Sequence, residues 1–188
     1  MTLDRFLGER IFAPLGMADT YFFAPESKLQ RLATNYAPKS PERGIAPAPP
    51  PARVNTRYFS GAGGLVSTAA DYLRFCQMSL NGGELNGARL LSRKSIEAMT
   101  VNHIGGLKGW LVPPGARFGL GYAVLTDLGE FQGLGSVGSY WWGGAFGTTF
   151  WIDPKEQMIG ILMIQIRPYT HLAIRSQFRT LATQAIVD

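Results

Sequence analysis

Cysteine occurs once in these 188 residues, at Cys76, and histidine twice, at His103 and His171. A single thiol excludes an internal disulfide. Two isolated imidazoles, with no cysteine cluster beside them, give none of the spacings that hold a zinc ion. Neither a metal nor any other cofactor is therefore expected. Long apolar runs are missing as well: the stretch from Met158 to Ile166 is far short of the ~20 residues that a membrane span needs. Charged residues make up only 16% of the chain, and the net charge of +5 is spread along it. Lysine and arginine form no dense run and do not alternate with aromatics, which argues against a nucleic-acid face.

What is present suits one packed core. With 46% hydrophobic residues, the chain is long enough for one globular core and too short for two comfortable domains. Thr2 is placed to cap a helix carrying Leu3, Phe6, Leu7 and Ile11 at helical spacing, with Pro14 past its end. From Ala37 to Pro51 proline alternates with charge, which predicts an extended, exposed loop. Thr68 and Asp71 form a capping-box-like start to a second helix that buries Tyr72, Phe75, Cys76 and Leu80 and stops at Gly82-Gly83. Ser92 caps a third.

Strand character takes over further on. Phe118 to Leu125 alternates weakly and reads as one strand before that of Trp142. Thr149-Phe150-Trp151-Ile152 is β-branched and aromatic, and Asp153-Pro154-Lys155-Glu156-Gln157 reads as a tight turn. Met158 to Ile166, apolar on both faces, predicts a central strand paired antiparallel with it. At the end, Ile174, Phe178, Leu181 and Ala185 share one helix face, with Arg175 and Arg179 elsewhere. Helices, then an antiparallel meander, then a helix give an α+β fold. Residues 1–115 are expected to form a helical region with the Pro-rich loop (about 37–51) and a Gly-rich turn (60–64). Residues 116–188 supply the strands and terminal helix of the same domain.

Two glycine clusters interrupt these patterns. Gly143-Gly144 follows Tyr140-Trp141-Trp142, and glycines within a strand mark either a bulge at a sheet edge or a place where a ligand or another backbone comes close. Gly61-Ala62-Gly63-Gly64 is either a plain loop into the Thr68 helix or the lining of a pocket.

Taken in order, Ile11-Phe12-Ala13-Pro14-Leu15-Gly16-Met17-Ala18-Asp19-Thr20, Phe59 to Phe75, Asn81-Gly82-Gly83-Glu84-Leu85-Asn86-Gly87, Trp142-Gly143-Gly144 and Trp151-Ile152-Asp153-Pro154 resemble the serine β-lactamase and penicillin-binding-protein-like hydrolases. The class C and esterase branch is the nearest match. The resemblance implies an antiparallel sheet with a helical region inserted, and an active site at their seam. Members carry a Ser-x-x-Lys nucleophile motif and a Tyr-x-Asn or related motif upstream, whereas no serine of this chain has a lysine three positions on. The chain is thus expected to be the C-terminal portion of a longer hydrolase, beginning after the Tyr motif and inactive alone. A bacterial cytoplasm or periplasm both remain open.

The same resemblance places Trp142-Gly143-Gly144 where β-lactamases of the family carry Lys-Thr-Gly. An ester-cleaving parent is favoured, because the cation and hydroxyl that would hold a β-lactam carboxylate are absent. Ala145 follows the triplet, and its backbone N–H is implied to be an oxyanion donor. Gly63 and Gly64 are implied to line the substrate pocket with Trp142, Gly143 and Gly144. The expected substrate of the full-length parent is a small-molecule ester or β-lactam-like compound. Tyr58, Phe59, Trp110 and Trp141 are more simply core aromatics than pocket walls, and His103 and His171 lack the partners of a catalytic base. A non-catalytic domain that binds a peptide or cell-wall fragment is the alternative. A tryptophan platform for carbohydrate is disfavoured, since adjacent Trp141 and Trp142 would face opposite ways in a strand. Missing strands would leave an open edge and an apolar patch, so self-association, or pairing with the missing N-terminal portion, is expected.

Overall fold

The computed structural model describes residues 1–39, 44–49, 58–107 and 111–187. Its centre is a five-stranded antiparallel meander of β5 (Ala116–Phe118), β6 (Ala123–Leu125), β7 (Tyr140–Gly143), β8 (Thr149–Asp153) and β9 (Met158–Leu162), in that order across the sheet. Two short hairpins precede it, β1 (Tyr36–Pro38) with β2 (Ile45–Pro47) and β3 (Glu84–Leu85) with β4 (Ala88–Arg89). The helices are α1 (Leu3–Leu7), α2 (Ala13–Leu15), α3 (Ala69–Leu80), α4 (Arg93–Met99), α5 (Leu128–Phe131) and α6 (Ile174–Gln184).

The strand register follows from side-chain alternation. Trp142 opposes Phe150 and Tyr140 opposes Ile152 on one face, while Trp141 opposes Trp151 on the other. The first face packs against α3, where Cys76, Val124, Tyr140, Phe150 and Ile152 form a core flanked by Tyr72 and Ile161. Each fully buried apolar side chain there contributes about 1.5–3 kcal/mol. The Tyr140 hydroxyl, which would be costly to bury alone, meets the Ser79 hydroxyl at 2.9 Å. On the opposite face α6 lies over β8, with Phe178 edge-on to Trp151 at 5.4 Å.

Thr68 caps α3 as expected, its hydroxyl accepting from the Asp71 N–H at 3.2 Å. The Asp71 carboxylate, however, does not close a capping box. It accepts from the Asp19 N–H at 2.7 Å and the Thr20 hydroxyl at 2.9 Å, tying the segment before the Gly-rich turn to the start of α3. Ser92 caps α4 through the Ser95 N–H at 3.0 Å.

Five expectations need correction. The first helix does not stop before Pro14: a π-helical stretch, Gly8–Phe12, leads straight into α2, which contains Pro14. Thr2 stands at the N-cap of α1 without a side-chain cap bond. The described part of the Pro-rich segment contains the β1–β2 hairpin rather than loop alone, and Tyr36 also bridges to Ile166 in parallel. Phe118 to Leu125 is two strands, since the chain reverses between β5 and β6 at Gly119–Tyr122. A Cβ on Gly119 would sit 2.1 Å from the Met99 carbonyl oxygen, so close packing of the α4 end selects that turn. Finally β9 is an edge strand of the described sheet, where a central strand was expected. Its apolar character serves α3 through Ile159 and Ile161, while at Gly160 the Trp151 ring fills the space that a side chain would take.

Candidate active site

β7 ends at Gly143, and the chain turns through Gly144, Ala145, Phe146, Gly147 and Thr148 into β8. Gly144 donates to the Thr148 carbonyl at 2.9 Å and accepts from the Gly147 N–H at 3.2 Å, closing a compact reversal. Gly147 has φ +92°, a conformation natural to glycine. Ala145 is exposed at the tip. Among the described residues no group accepts from its N–H. Trp142 is half-buried, edge-on to Phe118 at 5.0 Å, and its carbonyl accepts from the Thr149 hydroxyl at 3.1 Å.

The turn rests on a residue that sequence reasoning placed away from the packed face. From the first turn of α6, Arg175 Nε donates to the Gly147 carbonyl at 3.1 Å, and one Nη donates to the Thr148 carbonyl at 2.6 Å and to the Gly144 carbonyl. The other Nη donates to the Tyr169 hydroxyl, and the guanidinium stacks on the Tyr169 ring with its carbon 3.9 Å from the centroid. Burial pulls the group below its ordinary pKa, opposed by Tyr169, but guanidinium stays protonated in proteins. A Cβ on Gly143 would lie 2.9 Å from three guanidinium atoms. A side chain at residue 143 would have to displace the guanidinium from its carbonyls.

One turn further, Arg179 is also packed inward, over Trp141 (4.8 Å), Phe131 (5.2 Å) and Trp151 (5.8 Å), and donates to the Ser139 hydroxyl at 3.0 Å. The expected apolar face of α6 is thus corrected. Leu181 is 68% exposed and Ala185 is exposed, whereas Arg175 and Arg179 face the sheet beside Ile174 and Phe178. Carbonyls at the turn satisfy Arg175, and aromatic faces with the Ser139 hydroxyl hold Arg179, although the buried Arg179 Nε has no hydrogen-bond partner among the described residues. An arginine pair four apart on a helix, downstream of a glycine-rich strand end, was the available signal.

The other candidates lie apart. Gly63 is exposed with nothing near its Cβ position, and Gly64, at φ +112°, faces the Phe22 ring at 3.7 Å. None of the hydrogen bonds among the described residues joins this turn to that of Ala145. It is instead flanked by a bridge between Tyr21 and Val66 and lies beside an open apolar groove of about 610 Å³ lined by Phe12, Met17, Phe22 and Phe59. Phe59 packs on Phe22 and Phe23, Tyr58 is exposed and Trp141 belongs to the Arg179 cage. Trp110 lies outside the described residues. His103 Nε2 is 2.6 Å from the Ala98 carbonyl, in a local helix-end contact, and His171 is exposed. Burial pushes the Cys76 thiol up to about 12, so it offers no thiolate nucleophile. Among the described residues no group of acidic, histidine and cysteine side chains could hold a metal, and no helix is long and apolar enough to cross a membrane.

Known proteins resemble this chain in sequence and fold. Protein Rv1367c of Mycobacterium tuberculosis is 34% identical over 179 residues, covering 88% of this chain and 44% of that protein. A protein of Escherichia coli O157:H7, provisionally named a D-alanyl-D-alanine carboxypeptidase, is 28% identical over 190 residues, covering 91% of this chain and 41% of its own length. Among solved structures, EstCE1, described as a hydrolase with promiscuous acyltransferase activity, superimposes with a TM-score of 0.76 at 23% identity, over 94% of this chain and 49% of that one. The chain therefore spans less than half the length of each. The helical region, the antiparallel meander and the terminal helix are the α+β arrangement of the β-lactamase and penicillin-binding-protein fold, in part. With residues 1–184 matching it, the chain belongs to the Beta-lactamase family.

Proposed function

We propose that these residues form the oxyanion side of a serine hydrolase that cleaves esters through an acyl-enzyme, with the nucleophilic serine and its lysine supplied from outside the 188 residues. The observation that carries this is the Ala145 N–H. It sits at the exposed end of β7, beside two residues without side chains, and has no acceptor among the described residues. As a serine attacks an ester carbonyl, negative charge gathers on the carbonyl oxygen. A fixed main-chain donor at that point contributes about 3 kcal/mol to the transition state. The small Ala145 side chain lets the acyl group approach, Gly143 and Gly144 leave room along the strand end, and Trp142 forms a wall.

An ester is preferred to a β-lactam or peptide because Trp142-Gly143 stands where a lysine and a hydroxyl would grip a carboxylate. The name of the Escherichia coli relative favours a peptide amide, and the description of EstCE1 favours an acyl ester. The second reading is a non-catalytic domain of the same fold that binds a peptide or cell-wall fragment.

The test has two arms. The 188-residue chain alone is expected to hydrolyse neither a chromogenic cephalosporin nor a p-nitrophenyl ester above background, because donors without a nucleophile leave most of the barrier. A serine of this chain labelled by a fluorophosphonate would overturn that. In the full-length protein Ala145→Pro removes the N–H while breaking no hydrogen bond of the turn, and the preceding Gly144 tolerates a following proline. An ester kcat lower by about 10²-fold with little change in KM is expected. Full turnover in the folded variant rejects the oxyanion assignment, and no turnover by the full-length wild type favours the binding domain.

A further inference from the structure

Resting on the oxyanion reading of Ala145, we infer that Arg175 is a positioning residue for the oxyanion hole, because its guanidinium holds the carbonyl end of the same peptide unit whose N–H end faces the substrate. The Gly144 carbonyl and the Ala145 N–H belong to one planar, trans amide, so the two point in opposite directions. Fixing the oxygen fixes the hydrogen. The Gly144 oxygen accepts twice, from the Gly147 N–H at 3.2 Å and from Arg175. The first of these is a long contact within the turn itself, and the second comes from a helix packed on the sheet. Arg175 also holds the Gly147 and Thr148 carbonyls. A peptide flip would therefore break a contact with a cation rather than exchange one water for another.

The contact also has an electronic effect. A cationic donor on the carbonyl oxygen draws electron density from the amide nitrogen, which makes the N–H a better donor; hydrogen bonds in a chain strengthen one another in this way. Nothing else in the turn carries charge. The guanidinium itself is on the far side from the substrate: its donors are taken up by the Gly144, Gly147 and Thr148 carbonyls and the Tyr169 hydroxyl, and the Tyr169 ring covers it. It acts through the peptide and does not touch the reacting atoms.

The experiment uses the full-length protein with an ester substrate and compares Arg175→Lys, Arg175→Ala with and without added guanidinium ion, Tyr169→Phe and Ala145→Pro. Lysine keeps the charge but lacks the planar fork with which arginine serves three carbonyls at once. A misplaced oxyanion donor is expected to lower kcat in Arg175→Lys on the order of tenfold to a hundredfold, with KM nearly unchanged. Guanidinium ion is expected to restore part of the Arg175→Ala loss. Tyr169→Phe, which removes one acceptor and keeps the ring, is expected to lower kcat by roughly a few-fold, and it reads the proposal if the arginine variants do not fold. Unchanged kcat in folded Arg175→Lys, or in Tyr169→Phe when the arginine variants are unfolded, overturns the inference while a slow Ala145→Pro leaves the oxyanion reading standing. A fast Ala145→Pro rejects both.

Discussion

The chain has two glycine clusters that look alike as text and differ as objects. At Gly61–Gly64 only Gly64, at φ +112°, answers a need of the backbone; Gly61 and Gly63 have open space where a side chain would go, and Gly64 has only the edge of Phe22. At Gly143–Gly147 glycine answers a need of neighbours. A Cβ on Gly143 meets the Arg175 guanidinium, one on Gly144 meets the Thr148 hydroxyl at 2.3 Å, and one on Gly147 meets the Ile164 side chain at 2.7 Å. The first cluster is a loop that happens to be near a groove; the second is an assembled part.

Alanine substitutions measure that difference directly through denaturant unfolding. The largest loss is expected for Gly147→Ala, where left-handed strain and overpacking combine to roughly 2–5 kcal/mol. Gly143→Ala follows at about 1–3 kcal/mol from displacement of the guanidinium. Gly64→Ala carries conformational strain alone, about 1 kcal/mol, and Gly63→Ala is expected within about 0.5 kcal/mol of wild type. Equal losses at Gly63 and Gly143 would erase the distinction.

Acid separates the two clusters by a smaller effect. Hydrogen bonds from Lys28 and Arg31 hold the Asp19 carboxyl well below its ordinary value, at about 2. A folded pKa below the unfolded one means a stabilising contribution that is full above the ordinary value of 3.8 and is lost as pH falls through about 2. Asp19 sits beside the Tyr21–Val66 bridge that flanks Gly64, whereas the carbonyls and guanidinium around Gly147 carry no acidic group. Amide signals of Tyr21 and Val66 are expected to move with a midpoint near 2 while those of Gly144 and Thr148 stay still. Movement of both sets together would tie the clusters into one unit.

How much was legible follows the same division. The β8–β9 pairing is legible because a β-branched and aromatic run is joined to an apolar run by a tight turn, and the Thr68 and Ser92 caps because the chemistry is local. Gly119–Tyr122 was missed as a reversal because the reason for it, the Met99 carbonyl, is distant in sequence. Apolar content makes β9 read as a central strand, because it reports covered faces and not hydrogen-bonded neighbours. At the site, glycines announced that something comes close but not what it is. Arg175 escaped because periodicity assigns charge to the outside, whereas a turn full of carbonyls is a better partner for a guanidinium than its residue type suggests.

The Arg175 guanidinium beneath the β7–β8 turn also acts as a gauge of loop length. It reaches the carbonyls of residues 144, 147 and 148 simultaneously, so an insertion or deletion between Gly144 and Thr148 would move at least one oxygen off its donor. Diversification of this rim is thereby channelled into the outward side chain of Ala145, and away from the size of the loop that carries it.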